Sequence, residues 1–111
     1  MVPGWLTIPE VAKRLGVDVT HVRRLLKERQ LAAVRRGPND APHVPAAFVA
    51  EGTVLKGLAG TLTVLHDAGY SDVEAVRWLF SPDESLPGSP VQALRENRKT
   101  EVRRRAQAMA F

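Results

Sequence analysis

Two short amphipathic stretches between Thr7 and Gln30, separated only by a tight turn at Gly16, constrain this chain more than any other feature. Thr7-Ile8-Pro9-Glu10 has the makings of a helix start. The threonine can cap the free amides, the glutamate three residues on returns the hydrogen bond, and proline is tolerated in the first turn. Ile8, Val11, Ala12 and Leu15 then share one face at helical spacing, and Gly16 ends the helix. A second helix is predicted from about Asp18 to Gln30, with Val19, Val22, Leu25 and Leu26 as its apolar stripe. Element length and spacing match a helix-turn-helix.

After Gln30 the periodicity changes. Leu31 to Arg36 reads as a short strand, Gly37-Pro38-Asn39-Asp40 is dense in turn formers, and Pro42-His43-Val44-Pro45 reads as a returning edge strand, where proline is permitted. A hairpin over about 31–45, directly behind a helix-turn-helix, has the form of a wing. From Ala46 the pattern is helical: a turn or two over Ala46–Ala50, then helices over Val54–Asp67, from Ser71 through Phe80, from Ser89 to about Asn97, and over Arg98–Ala108. Ser71-Asp72-Val73-Glu74 is a second capping box and Ser89-Pro90-Val91-Gln92 a third cap signature. The expected fold is mostly α with a small β-hairpin wing. It divides into a winged helix-turn-helix at 1–50 and a helical domain at 51–111, with no linker to let the second float free.

Charge is unevenly spread. Residues 1–40 balance at +4, residues 41–94 at −4 and residues 95–111 at +4. A basic head and tail around an acidic middle suit a polyanion-binding surface better than general solubility.

On the second predicted helix Thr20, Arg23, Arg24 and Lys27 recur at i, i+3, i+4 and i+7, opposite Val22, Leu25 and Leu26. When the apolar stripe docks, this one faces solvent. Arginine makes paired hydrogen bonds to guanine O6 and N7, and threonine offers a hydroxyl and a methyl to base edges. Lys27 suits a phosphate, and His21 on the flank suits the backbone or a base. A basic helix face is ordinarily only a solvated one; its place in a helix-turn-helix followed by a basic hairpin favours nucleic acid. Arg35 and Arg36 precede the hairpin turn, where a wing reaches the minor groove or its phosphates. Successive strand residues point to opposite faces, so one of the two is free to do no more than cover the sheet. Lys13 and Arg14 fit phosphates and the helix dipole equally well. The tail residues Arg95, Arg98, Lys99, Arg103, Arg104 and Arg105 extend a DNA footprint, bind an acidic partner, or solvate the last helix beside Glu96 and Glu101; the sequence leaves these open.

Other classes fare poorly. There is no cysteine, which removes disulfides, thiolate metal sites and cysteine nucleophiles. No apolar run approaches the ~20 residues of a membrane span, and Met1-Val2-Pro3-Gly4-Trp5 lacks a signal-peptide pattern, so the expected compartment is the cytoplasm. His21, His43 and His66 fall in three different elements, and no phosphate loop, dinucleotide fingerprint or nucleophile elbow is present. Asp83 and Glu84 read as solvated turn residues. No catalysis, metal or cofactor is expected.

The run from Leu6 to Val17, with its leucine-threonine, glutamate-valine-alanine and leucine-glycine-valine steps, resembles the winged helix-turn-helix of the excisionase and MerR-like group. The Leu31–Val34 strand with its arginine-arginine-glycine continuation looks like that group's wing. Further on, Leu62 to Tyr70, Ala75 to Asp83 and the ending Arg104 to Phe111 complete a pattern similar to an actinobacterial family of small DNA-binding regulators. Each has a winged helix-turn-helix followed by a family-specific helical C-terminal domain. That resemblance spans nearly the whole chain. It implies a bacterial duplex-DNA-binding transcriptional regulator, nucleoid-associated when bound, with Thr20, His21, Arg23, Arg24 and Lys27 on the recognition helix and Arg35 and Arg36 at the wing. Two departures stand out: the N-terminal extension of relatives is expected to be missing or very short here, and the loop from Asp83 to Gly88 is brief. A shorter similarity, Trp78-Leu79 with Ser89 to Arg95 and Glu101-Val102, looks like the toxin-binding domain of certain antitoxins. It implies instead a protein partner, or self-association, through the helical half. An excisionase-type recombination accessory factor is a third alternative.

Overall fold

The computed structural model describes residues 2–86 and 88–109. Strand β1 (Trp5–Thr7) runs straight into helix α1 (Ile8–Leu15), because Thr7 is both the last strand residue and the helix cap. The Glu10 N–H donates to Thr7 Oγ1 at 3.3 Å and the Thr7 N–H to Glu10 Oε1 at 2.7 Å. Those bonds from Thr7, backbone first and hydroxyl second, hold the Glu10 carboxyl below its ordinary range. Gly16, at φ +71°, turns the chain into α2 (Val19–Lys27), where Asp18 Oδ1 accepts the His21 N–H at 2.8 Å. This helix stops short of the expected Gln30. Arg29 adopts φ +59°, and the reversal drops Leu31 and Ala32 into the core. The wing strand β2 (Val34–Arg36) therefore begins three residues later than its hydrophobic run suggests, since burial claims Leu31 and Ala32 first.

Strand β3 (Ala41–Pro45) returns from the wing, but as the middle strand of an antiparallel sheet ordered β1-β3-β2, not as an edge. The register explains how it carries two prolines. β1 pairs with residues 43–45 and β2 with 41–43, so only His43 is flanked on both sides. Pro42 and Pro45 each have one neighbour, which leaves the open side for the missing donor. A 3-10 turn (Ala46–Phe48) leads into a second hairpin, β4 (Val49–Ala50) and β5 (Thr53–Val54), turned by Glu51 and Gly52, both at positive φ. This hairpin straddles residue 50 and removes Val54 from the helix expected there. Helix α3 (Leu58–Asp67) starts only after Gly57, at φ +85°.

Helices α4 (Asp72–Leu79), α5 (Pro90–Arg95) and α6 (Lys99–Ala108) complete the chain. Ser71 and Glu74 form the expected capping box on α4, and their bonds lower the Glu74 pKa. One buried cluster runs through both halves, from Val11, Val22 and Val44 to Leu62, Leu79 and Val102. Phe48 and Phe80 join them with ring centroids 5.8 Å apart. The radius of gyration, 13.3 Å, is that of a single body, about 13 Å for a chain of roughly this length.

Asp83 is not a merely solvated turn residue. Its Oδ1 accepts the Ser85 N–H and hydroxyl at 2.9 and 2.7 Å, and its Oδ2 accepts Arg105 Nε at 2.9 Å. The Ser85 hydroxyl, then Arg105, then the Ser85 N–H bring its pKa down to about 2. The brief acidic loop is thereby fastened to α6. His66, at the end of α3, meets the Asp72 carboxylate at 2.9 Å where α4 begins.

Candidate nucleic-acid interface

The apolar stripe of α2 fixes what its other face shows. Val22 is fully buried and Leu25 and Leu26 are half-buried, whereas Thr20, His21, Arg23, Arg24 and Lys27 are all exposed. The cap puts His21 in the first turn, and Lys27 closes the last. Among the described residues no carboxylate lies within 4.0 Å of Arg23, Arg24 or Lys27; the ion pairs present involve His66, Arg98 and Arg105. Five sequence-predicted residues thus stand on one helix, their cations free of intramolecular neutralisation. Lys13 and Arg14, at the end of α1, are exposed as well.

The two wing arginines are separated. Residues paired across an antiparallel sheet point to the same side, and the pairs Arg36–Ala41, Val34–His43–Thr7 and Trp5–Pro45 put Arg36 on the face of Trp5. Arg35 shares the other face with Leu6 and Val44, whose side chains are buried on the side where α1 packs. The Arg36 guanidinium carbon lies 4.4 Å from the Trp5 ring centroid. Arg35 Nη1 donates to the Asp40 carbonyl at 3.1 Å across the wing turn, a bond that still leaves most of its donors free. The Trp5 face also meets α4, where Val76, Arg77 and Phe80 line a shallow depression with Val34. Strand alternation alone predicts that the two arginines differ but not which faces which way; the register decides it.

Among the described residues no three His, Asp or Glu side chains come together as a metal site would require, and no helix is long and apolar enough to cross a membrane.

A helix-turn-helix with a hairpin wing, closed by a helical domain on the same core, defines the class: a winged helix-turn-helix protein with a helical C-terminal domain. Residues 2–49 match the family described as the wHTH domain of DNA-binding protein Rv2175c, and residues 55–110 match the Rv2175c C-terminal domain of unknown function. The chain belongs to this family. It is 48% identical over 117 residues to the DNA-binding protein Rv2175c of Mycobacterium tuberculosis (strain ATCC 25618 / H37Rv), spanning 94% of this chain and 79% of that protein. The NMR structure of Rv2175c superimposes with a TM-score of 0.86 at 43% identity, covering 97% of this chain and 82% of that one. The resemblance carried by the head and by residues 62–70, 75–83 and 104–111, to an actinobacterial family with a winged helix-turn-helix and its own C-terminal domain, is met. The β4–β5 hairpin falls mostly between the two matched segments.

Proposed function

We propose that this chain binds duplex DNA without catalysing a reaction on it, and acts as a transcriptional regulator. The observation that carries this reading is the exposed row Thr20, Arg23, Arg24 and Lys27 on the second helix of a helix-turn-helix, unneutralised by any nearby carboxylate among the described residues. That a relative sharing almost the whole chain is named a DNA-binding protein supports it. In this reading α2 enters the major groove, whose width of about 12 Å admits one helix. Arg23 and Arg24 read guanine edges, Thr20 and His21 contact a base or the backbone near the cap, and Lys27 holds a phosphate. Arg35, braced on Asp40, reaches the adjacent backbone or minor groove; Arg36 keeps the wing seated on Trp5 and supports it from behind.

Methylation protection tests the assignment. Bound protein should shield guanine N7 in the major groove of a duplex from dimethyl sulfate, and Arg23→Ala/Arg24→Ala should restore the reactivity. Binding that leaves guanine N7 as reactive as in free DNA would place the contact elsewhere.

A further inference from the structure

The basic tail is not one uniform surface. Arg98 pairs with Glu101 at 3.5 Å and Arg105 with Asp83 at 2.9 Å. Lys99 and Arg103, one turn apart on α6, have no carboxylate within 4.0 Å among the described residues. They border a cleft of about 470 Å³ whose other walls include Gly57 and Gly60 at the α3 start, Leu25 of α2 and Gln30 just beyond its end. Gln30 follows Lys27 by three residues, so the cleft opens beside the C-terminal end of the helix assigned to the major groove.

Both cations lie where the facing helix lacks side chains. A Cβ at Gly57 would fall 2.5 Å from Lys99 Cβ, and one at Gly60 would run into the Arg103 guanidinium. Gly57 lets α6 lie close against α3, and Gly60 leaves room for the Arg103 guanidinium to lie across the α3 backbone. Nothing acidic offsets the charge from that side, since Gly57 caps α3 without a side chain and the first turn carries no carboxylate.

We propose that Lys99 and Arg103 of the C-terminal domain form a second contact with the same duplex, gripping the sugar–phosphate strand that flanks the groove occupied by α2. The inference rests on the DNA-binding reading above. A duplex is the occupant favoured by the two uncompensated cations and by the position of the cleft at the C-terminal end of α2. Arginine takes a phosphate in a bidentate fork and lysine as a point charge, and neither contact reads sequence. The helical domain then adds affinity and fixes orientation while α2 supplies discrimination.

The test compares full-length Lys99→Gln/Arg103→Gln with Arg95→Gln/Arg104→Gln. The second pair removes the same charge from exposed positions outside the cleft. Each phosphate contact contributes about 0.9 to the slope of log affinity against log salt. The cleft variant should flatten that slope by roughly 2 on a labelled ~20-base-pair duplex, and the control pair by less than half as much. A cleft variant with the wild-type slope, or a control that flattens it equally, overturns the proposal. If wild type binds no duplex at all, the DNA reading falls and this inference with it. A second readout is independent of affinity. The chain has no cysteine, so Arg103→Cys carries a single benzophenone label. That label should cross-link to the duplex while the same label at Arg95→Cys does not; no cross-link from position 103 contradicts the contact.

Discussion

The Arg36 guanidinium carbon stands 4.4 Å from the centroid of the Trp5 ring, which ties the wing to the first strand across the whole width of the sheet. Its neighbour Arg35 projects from the opposite face. The proposed reading therefore gives Arg36 a structural part and Arg35 the contact with DNA. Arg36→Ala should lower stability by about 0.5–1 kcal/mol, the usual worth of an exposed cation–π contact, and shift the emission of Trp5 in a Trp78→Phe background. Its effect on DNA affinity should be smaller than that of Arg35→Ala, which loses only the exposed bond to the Asp40 carbonyl and should lower stability by less. Equal losses of affinity would show that the sheet faces do not sort the two.

Gly57 and Gly69 both have positive φ, at +85° and +93°, but only Gly57 is crowded. Gly69→Ala should cost about 1 kcal/mol, for the left-handed backbone alone. Gly57→Ala adds a collision with Lys99 and should cost about 2 kcal/mol or more. Urea denaturation checks the order of the two; a Gly57→Ala protein as stable as Gly69→Ala would mean that α6 does not lie against α3 as described.

Phe48 is fully buried and meets Phe80 of the helical half. Phe48→Ala should remove about 3–5 kcal/mol, a large share of the roughly 5–15 kcal/mol typical of a domain. Because one core serves both halves, the chain should still unfold in a single transition. Two separated transitions in calorimetry would show that head and tail unfold independently.

The tie from Asp83 to Ser85 and Arg105 carries a pH signature. The folded pKa is about 2, below the ordinary 3.8, so the stabilisation is present above pH 3.8 and drains away as pH falls toward 2. The difference in melting temperature between wild type and Asp83→Asn should be widest near neutrality and close at pH 2. A gap that persists at pH 2 would assign it to something other than the carboxylate's charge.

Most of the helical frame was legible because caps and stripes are local signals. Thr7 with Glu10, Ser71 with Glu74, and the i, i+3, i+4 rows of α1 and α2 depend on near neighbours alone. What escaped depends on distant ones. Strand β1 is only three residues long, and its last residue doubles as a helix cap, so it leaves no alternation to read. The β4–β5 hairpin turns on Glu51-Gly52, which lacks the asparagine or aspartate that ordinarily announces such a turn. Two prolines normally mean an edge strand; the staggered register that admits them in β3 arises only when both neighbours are in place. At the interface, the exposed row on α2 followed from helical spacing. The division of labour between Arg35 and Arg36 needed the sheet register and the position of Trp5.

The central claim is that α2 presents its basic row to a duplex, and fluorescence anisotropy tests it most directly. A labelled ~20-base-pair duplex would be titrated at several salt concentrations with wild type and with Arg23→Ala/Arg24→Ala. Four to six phosphate contacts correspond to a log–log salt slope of roughly −4 to −5, and the double substitution should weaken binding at every salt concentration. Undetectable binding at low salt, or a double variant that binds as wild type does, would contradict the account.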